Sequence, residues 1–385
     1  MRRLQSDVPS TSAAEAHGEY AAAGVNYSIL DPAKRLAQAA ARGTADQLAR
    51  HEFSEVAGTR GESAYVVDAG PFFLATLTEG LGTKNLVADA VRHITGRSHY
   101  DQLAQDTVAT ILNDLATVGA SPVAVTAYWG TGDSEWFGDQ ERLADLASGW
   151  AAACKAAGAS WGGGETQAIG GIIQPGVIDL AGAAVGIIRP KSRLLHGDRL
   201  QAGDAILVAA SSGIHANGLT LARRVASKLP DGYATPVPGD AEGHGYGEAL
   251  LRPSPLYGPL LEALQDAEIE VHYAAHITGH GWRKLMRAER DLTYRVTNLP
   301  PVPPVLEFLQ VCLGMPDEEA YGTFNMGGGF ALFVSPRDVA RSLEVAQKAK
   351  LQFELVQVGA VEKGPKRVVL EPLDVTYDAS ALQVR

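Results

Sequence analysis

The chain is poor in cysteine, in basic charge and in long apolar runs. Only Cys154 and Cys312 occur among its 385 residues. Two cysteines so far apart make neither a disulfide framework nor a zinc site, and they predict a reducing, cytoplasmic compartment. Cys154 falls in an apolar helical pattern with Trp150, Ala151 and Ala157, which reads as core, and Cys312 reads the same way. No apolar run approaches the roughly 18 residues of a membrane span. The longest candidate, Leu180 to Ile188, is strand-sized. Arg2 and Arg3 have no apolar stretch behind them, so the N-terminus does not read as a secretory signal. Lys and Arg number 33 against 44 Asp and Glu, a formal net charge of −11. That balance argues against a general nucleic-acid binder, which releases counterions with a basic surface.

Several common signatures are also missing. There is no GxSxG elbow, no HExxH helix and no P-loop; Gly80-Leu81-Gly82-Thr83-Lys84 is the nearest string and lacks the P-loop spacing. What is abundant is glycine, 42 residues or about 11%, against a usual share of about 7%. Apolar residues at 46% and charged residues at 20% are those of an ordinary globular protein.

At roughly 150 residues per domain the length predicts two or three domains, two being the simpler division. Residues 1–19 read as a loose tail, 20–189 as an N-terminal domain and 190–385 as a C-terminal domain, with the boundary at the polar stretch after Arg189-Pro190. A helix is expected with Asp31 as its cap and Pro32 at its first position. Strands are expected at 65–68, 72–78, 177–188, 205–210, 330–334, 353–361 and 367–370. Helices are expected at 106–118, 142–157, 218–229, 255–266, 304–313 and 336–350, and a long loop at 230–247. The order lacks the strict alternation of a doubly wound sheet and predicts two α+β or mixed α/β domains.

The glycines gather in six polar clusters. Glu79-Gly80-Leu81-Gly82-Thr83-Lys84 follows an apolar strand and offers backbone N–H groups and a lysine to an anion, or else is a hairpin turn with a solvated lysine. Asp106, Asn113 and Asp114 share one side of a helix, with Val108, Ile111, Leu112 and Leu115 of a core face between them. Carboxylates beside a buried face are costly unless paired or metal-bound, and oxygen ligands of this kind suit Mg2+ held jointly with phosphates. Capping by Asp106 and exposure of Asp114 is the plainer alternative. Gly162-Gly163-Gly164-Glu165-Thr166 is a tight backbone site or a bland loop. Ser211 to Gly218, with His215 and Asn217, places hydroxyl, amide and imidazole groups at a helix start. His276-Ile277-Thr278-Gly279-His280-Gly281 and Thr323-Phe324-Asn325-Met326-Gly327-Gly328-Gly329 complete the set.

Taken in order, these strings resemble the aminoimidazole ribonucleotide synthetase family, also called phosphoribosylformylglycinamidine cyclo-ligase, from Ala23-Gly24-Val25-Asn26 to about Leu370. The family's DGVGTK looks like Glu79 to Lys84, its D-x-x-A-x-x-x-ND-L like Asp106 to Leu115, and its GGET like Gly163 to Thr166. Its SSG-x-H-x-NG matches Ser211 to Gly218, L-x-PT-x-x-Y resembles Leu251 to Tyr257, HITGGG resembles His276 to Gly281, and TFN-x-G-x-G matches Thr323 to Gly329. The resemblance implies a two-domain fold, an N-terminal domain that forms a barrel with its copy in a homodimer, and a C-terminal α/β domain. It implies ATP and Mg2+ in the interdomain cleft, a small nucleotide substrate, and no nucleic-acid or membrane partner. The implied reaction is ATP-dependent closure of formylglycinamidine ribonucleotide to aminoimidazole ribonucleotide in purine synthesis. A paralogue that activates another amide or carboxyl oxygen, and a non-catalytic nucleotide-binding homologue, are the alternatives. By motif position, Glu79, Asp106 and Asp114 would hold the metal. His215, Lys84 and Asn113 would serve the chemistry. Gly80, Gly82, Thr83, Gly163, Gly164, Glu165, Thr166, Asn217, Thr278, Asn325 and Gly327 would line the nucleotide or substrate pocket.

The chain departs from the family pattern in four places. Glu79 replaces an aspartate, Gly61 to Gly70 stands where a Gly-x-Phe-Gly loop is usual, Ala21 and Ala22 stand near a usual lysine with Asn26 in place of Asp, and His280 replaces a glycine.

Overall fold

The computed structural model describes residues 27–382. The expected tail 1–19 and the string Ala23 to Asn26 lie outside the described residues. Two mixed sheets form the framework. The first contains β1 (Ser54–Glu55), β2 (Tyr65–Asp68), β3 (Phe73–Gly80), β4 (Ser121–Thr131), β5 (Ser160–Ala168) and β6 (Ile178–Ile188), in the order β1-β2-β3-β6-β4-β5. Only β4 and β5 run parallel. Its helices are α1 (Tyr27–Arg42), α2 (Asn85–Thr95), α3 (Tyr100–Ala116) and α4 (Gln140–Ala156). Residues 189–204 then lead to the second sheet.

That sheet contains β7 (Ala205–Ala210), β8 (Val271–His276), β9 (Leu292–Val296), β10 (Gly328–Val334), β11 (Leu355–Lys363), β12 (Arg367–Leu370) and β13 (Val375–Asp378), in the order β13-β12-β9-β11-β7-β10-β8. Only β9 and β12 pair parallel. Helices α5 (Leu219–Ala226), α6 (Tyr246–Leu250), α7 (Gly258–Asp266), α8 (Pro304–Leu313), α9 (Asp317–Thr323) and α10 (Val339–Lys348) accompany it. Strand β7 is buried on both faces: Ala205, Leu207 and Ala209 pack with Leu260 and Leu264 of α7, while Ile206 and Val208 belong to the larger core that continues into the first sheet. The expected mixed α/β class is what the chain adopts.

Helix α3 joins the two layers. Thirteen of its 17 residues are buried, so its apolar positions run around the axis rather than along one stripe. It packs on β3, β6 and α4, and also against α7 and β8.

Two expectations need correction here. The first helix begins at Tyr27, so Pro32 lies inside it rather than at its first position; the Asp31 side chain lies outside the described residues. Gly163 to Thr166 are not a loop but part of edge strand β5, where these residues are exposed. Gly164 is needed for close approach: a Cβ there would fall 1.9 Å from the Ala127 carbonyl oxygen. Among the described residues no helix is long and apolar enough to cross a membrane.

Candidate active site

Side chains alternate along β3, so Ala75, Leu77 and Glu79 face the side that α3 covers. On α3, Thr110 and Asp114 stand four residues apart and share a face. Glu79, Gly80, Thr110 and Asp114 form one wall of a cavity of about 330 Å3. The opposite wall belongs to the second sheet's layer: Ala216 and Asn217 before α5, then Thr278, Gly279 and His280 after β8, then Lys284 and Arg287. Lys34 of α1 and the Glu62-Ser63 loop close its rim. The structure thus brings together Glu79, Gly80, Asp114, Asn217 and Thr278 from the sequence-derived set.

The charges in this cavity are unevenly tuned. Burial works against ionisation of Asp114, but the hydrogen bond from His276 Nδ1 to its Oδ1 (2.7 Å) and the charges of Lys284 and Arg287 outweigh it. They leave the carboxyl below the usual range. Glu79 has burial and the Asp114 charge against it, partly offset by Lys284, and is pushed up to about 7. Burial and the neighbouring Arg287 charge bring Lys284 down to about 8, against the pull of Asp114 and Glu79. Burial and the cations Lys284 and Arg283 hold His280 at about 3, so its ring is neutral at pH 7.

Several expected site residues have other work. Asp106 is not on the cavity wall. Its Oδ2 lies 2.6 Å from Lys84 Nζ with both side chains fully buried. Its Oδ1 accepts from the Ser254 amide at 2.8 Å and from the Ser254 hydroxyl. Lys84 also donates to the Arg252 carbonyl at 3.1 Å, so it is enclosed away from the cavity and does not present its charge to a phosphate there. Asn113 donates to the Pro255 carbonyl and accepts from the Tyr257 amide, at 2.9 and 2.7 Å. It holds a loop and does not line the cavity. The buried polar positions of α3 are therefore satisfied across the interdomain seam, by the 252–257 loop and His276.

Asn325 is a hub of the same kind. It accepts from Ser211 Oγ and donates to the Gly213 carbonyl, both at 2.8 Å, and it accepts from the Gly327 amide. His215 adopts φ +60 and is buried behind the cavity, with neither ring nitrogen partnered. Burial, then His276 and Lys84, hold it well below the usual histidine range. It does not line the cavity, although its chain neighbours Ala216 and Asn217 do. Gly82 and Thr83 lie just beyond Gly80 and do not line the wall; neither do Gly163, Gly164, Glu165, Thr166 and Gly327.

Sequence reasoning missed Lys34, Glu62, Ser63, Thr110, Lys284 and Arg287. A signal for two of them was present in Trp282-Arg283-Lys284-Leu285-Met286-Arg287, where large apolar and basic residues interleave. In the 3-10 turn Gly281–Met286, residues three apart eclipse, which aligns Lys284 with Arg287 beyond it.

Among the described residues no group of three or more His, Cys, Asp or Glu side chains could hold a metal alone. Glu79 and Asp114 nevertheless fit Mg2+, which takes one or two carboxylates and completes its shell with water and phosphate oxygens. Glu79 is raised first by burial and then by the Asp114 charge, and a divalent cation relieves that repulsion.

Family models described as AIR synthase related protein, N-terminal domain and C-terminal domain, match residues 61–188 and 201–371. A phosphoribosylformylglycinamidine cyclo-ligase of Pyrococcus furiosus is 34% identical over 351 residues, covering 91% of this chain and 97% of the relative. One from Thermococcus gammatolerans is 36% identical over 327 residues, covering 83% and 90%. In fold, the chain resembles the hydrogenase maturation protein HypE in complex with ATP, with a TM-score of 0.57 at 19% identity, covering 80% of this chain and 84% of that one. It also resembles T. maritima PurL complexed with ADP, with a TM-score of 0.51 at 18% identity, covering 83% and 45%.

Proposed function

Since the chain belongs to the phosphoribosylformylglycinamidine cyclo-ligase family, we propose that it is the ATP-dependent ligase that closes formylglycinamidine ribonucleotide to aminoimidazole ribonucleotide in purine synthesis. The observation that carries this reading is the convergence of Glu79, Asp114, Lys284, Asn217 and Thr278, from both sheets, on one interdomain cavity.

The chemistry turns a poor leaving oxygen into a good one. The formyl amide oxygen takes the γ-phosphoryl group of ATP, an amidine nitrogen attacks the same carbon, and the C–O bond breaks to release phosphate. Little covalent work falls to the protein, which acts by positioning and by charge neutralisation. Glu79 and Asp114 would hold Mg2+, which supplies neutralisation of phosphate charge when bound. The His276 hydrogen bond fixes the orientation of the Asp114 carboxylate and keeps it ionised. Thr278 and Asn217 offer hydroxyl and amide groups to ligand oxygens. His280, neutral at pH 7, adds a donor or acceptor without adding charge.

A cytoplasmic homodimer belongs to the same reading. Both cysteines are free. Strand β5 is an edge strand exposed from Gly162 to Thr166, and Val123 of β4 and Val185 of β6 are 45% and 43% exposed. An edge of this kind invites pairing with a second copy.

The test is turnover of formylglycinamidine ribonucleotide with ATP and Mg2+, following ADP and aminoimidazole ribonucleotide together. Equal amounts of both products support the assignment. Absence of the aminoimidazole from active, folded protein overturns it.

A further inference from the structure

With Lys84 enclosed by Asp106 and the Arg252 carbonyl, the lysine at the start of α2 presents no charge to the cavity. The 3-10 turn after β8 and the residue that follows it, Trp282 to Arg287, carry three basic residues among six. The Trp282 ring is fully buried and its N–H donates to the Asn325 carbonyl at 2.8 Å, while Leu285 and Met286 are fully buried too. These three side chains pin one side of the turn into the core.

The basic residues then divide. Arg283 is tied to the backbone, donating to the carbonyls of His280, Ala381 and Gly322. Arg287 is tied to the rim loop, donating to Ser63 Oγ at 2.7 Å and the Gly61 carbonyl at 3.0 Å, with Glu62 at 3.6 Å. Lys284 faces the cavity, where it feels both Glu79 and Asp114. Neither carboxylate forms an ion pair with it among the described residues.

We propose that Lys284 is the residue that binds the polyphosphate of ATP in this chain, taking the place that motif position would give to Lys84. The inference rests on the function proposed above and adds the identity of its phosphate-binding cation. A 5′-phosphate of the substrate carries the same chemistry. The polyphosphate is favoured because Lys284 lines the same cavity as the two carboxylates suited to Mg2+, on the wall opposite them, and it is the polyphosphate that carries the metal. The half-buried Lys284 is only partly hydrated, which strengthens its pull on an anion.

The experiment compares wild type with Lys284→Met and Lys284→Arg, each checked by thermal unfolding. ADP with Mg2+ and adenosine are the calorimetric probes, and KM is measured separately for ATP and for formylglycinamidine ribonucleotide. Lys284→Met is expected to weaken ADP binding and raise the ATP KM about tenfold or more, with adenosine binding and the other KM within about twofold of wild type. Lys284→Arg should recover most of the loss. Wild-type ADP affinity and ATP KM in Lys284→Met would overturn the inference while leaving the ligase assignment intact. A rise confined to the KM for formylglycinamidine ribonucleotide would overturn it in favour of the substrate phosphate. Wild-type protein that binds ADP through Lys284 yet never forms the aminoimidazole would support the inference and sink the ligase assignment.

Discussion

Asp114 and Glu79 are neighbours with opposite surroundings. Asp114 has an imidazole donor at 2.7 Å and stays ionised, whereas Glu79 titrates at about 7. In the unfolded chain Glu79 releases its proton near 4.5, so between pH 4.5 and 7 the folded protein binds more protons than the unfolded one. Stability then falls as pH rises through that window. In metal-free protein, Glu79→Gln should remove this slope and gain about 1 kcal/mol on wild type between pH 5 and pH 8, after allowance for solvent screening. Urea unfolding across that range checks it, and parallel profiles would count against it. Asp114→Asn keeps an acceptor for His276 but loses the charge. It should lower turnover by about tenfold or more, with circular dichroism unchanged. Wild-type rates would remove Asp114 from the site.

At the scale of elements, α3 is a seam. Asp106 and Asn113 serve the 252–257 loop, and Asp114 serves both His276 and the cavity. Asp106→Asn leaves the buried Lys84 ammonium without its counter-charge and should cost about 3–5 kcal/mol in urea unfolding. Mg2+ affinity of the folded protein should not change, because Asp106 is off the cavity wall; a large loss of Mg2+ affinity would restore it as a ligand. The sequence carried the right constraint, that carboxylates beside an apolar face must be paired or metal-bound, but not the choice between them. The deciding partners, Ser254 and His276, lie 148 and 162 residues away. Strand β7 was legible as a short, unbroken apolar run. Strand β8 was not, because His272 and His276 interrupt its pattern; both are buried, bonded to Asp204 and Asp114. The glycine motifs were legible as strings, but Gly163 to Thr166 lie in a strand where a loop was expected. At Gly329 a Cβ would fall 1.8 Å from Tyr257 Oη, a packing demand rather than an anion contact.

For the molecule as a whole, a net charge of −11 opposes two anionic nucleotides. Lys34, Lys284 and Arg287 meet at one cavity, so the attraction is local. The two walls of that cavity come from different sheets, so the site exists only while the α3 seam is closed. In the proposed homodimer, sedimentation equilibrium should return twice the 40.5 kDa chain mass, and Val185→Asp should shift it towards a single chain. A single-chain mass for wild type at micromolar concentration would contradict the dimer. The fate of the formyl oxygen probes the reaction itself most directly. Formylglycinamidine ribonucleotide labelled there with oxygen-18 and turned over with ATP and Mg2+ should deliver its label into inorganic phosphate, one atom for each aminoimidazole ribonucleotide formed. Unlabelled phosphate, with the label released to water, would contradict activation of the amide oxygen by this chain.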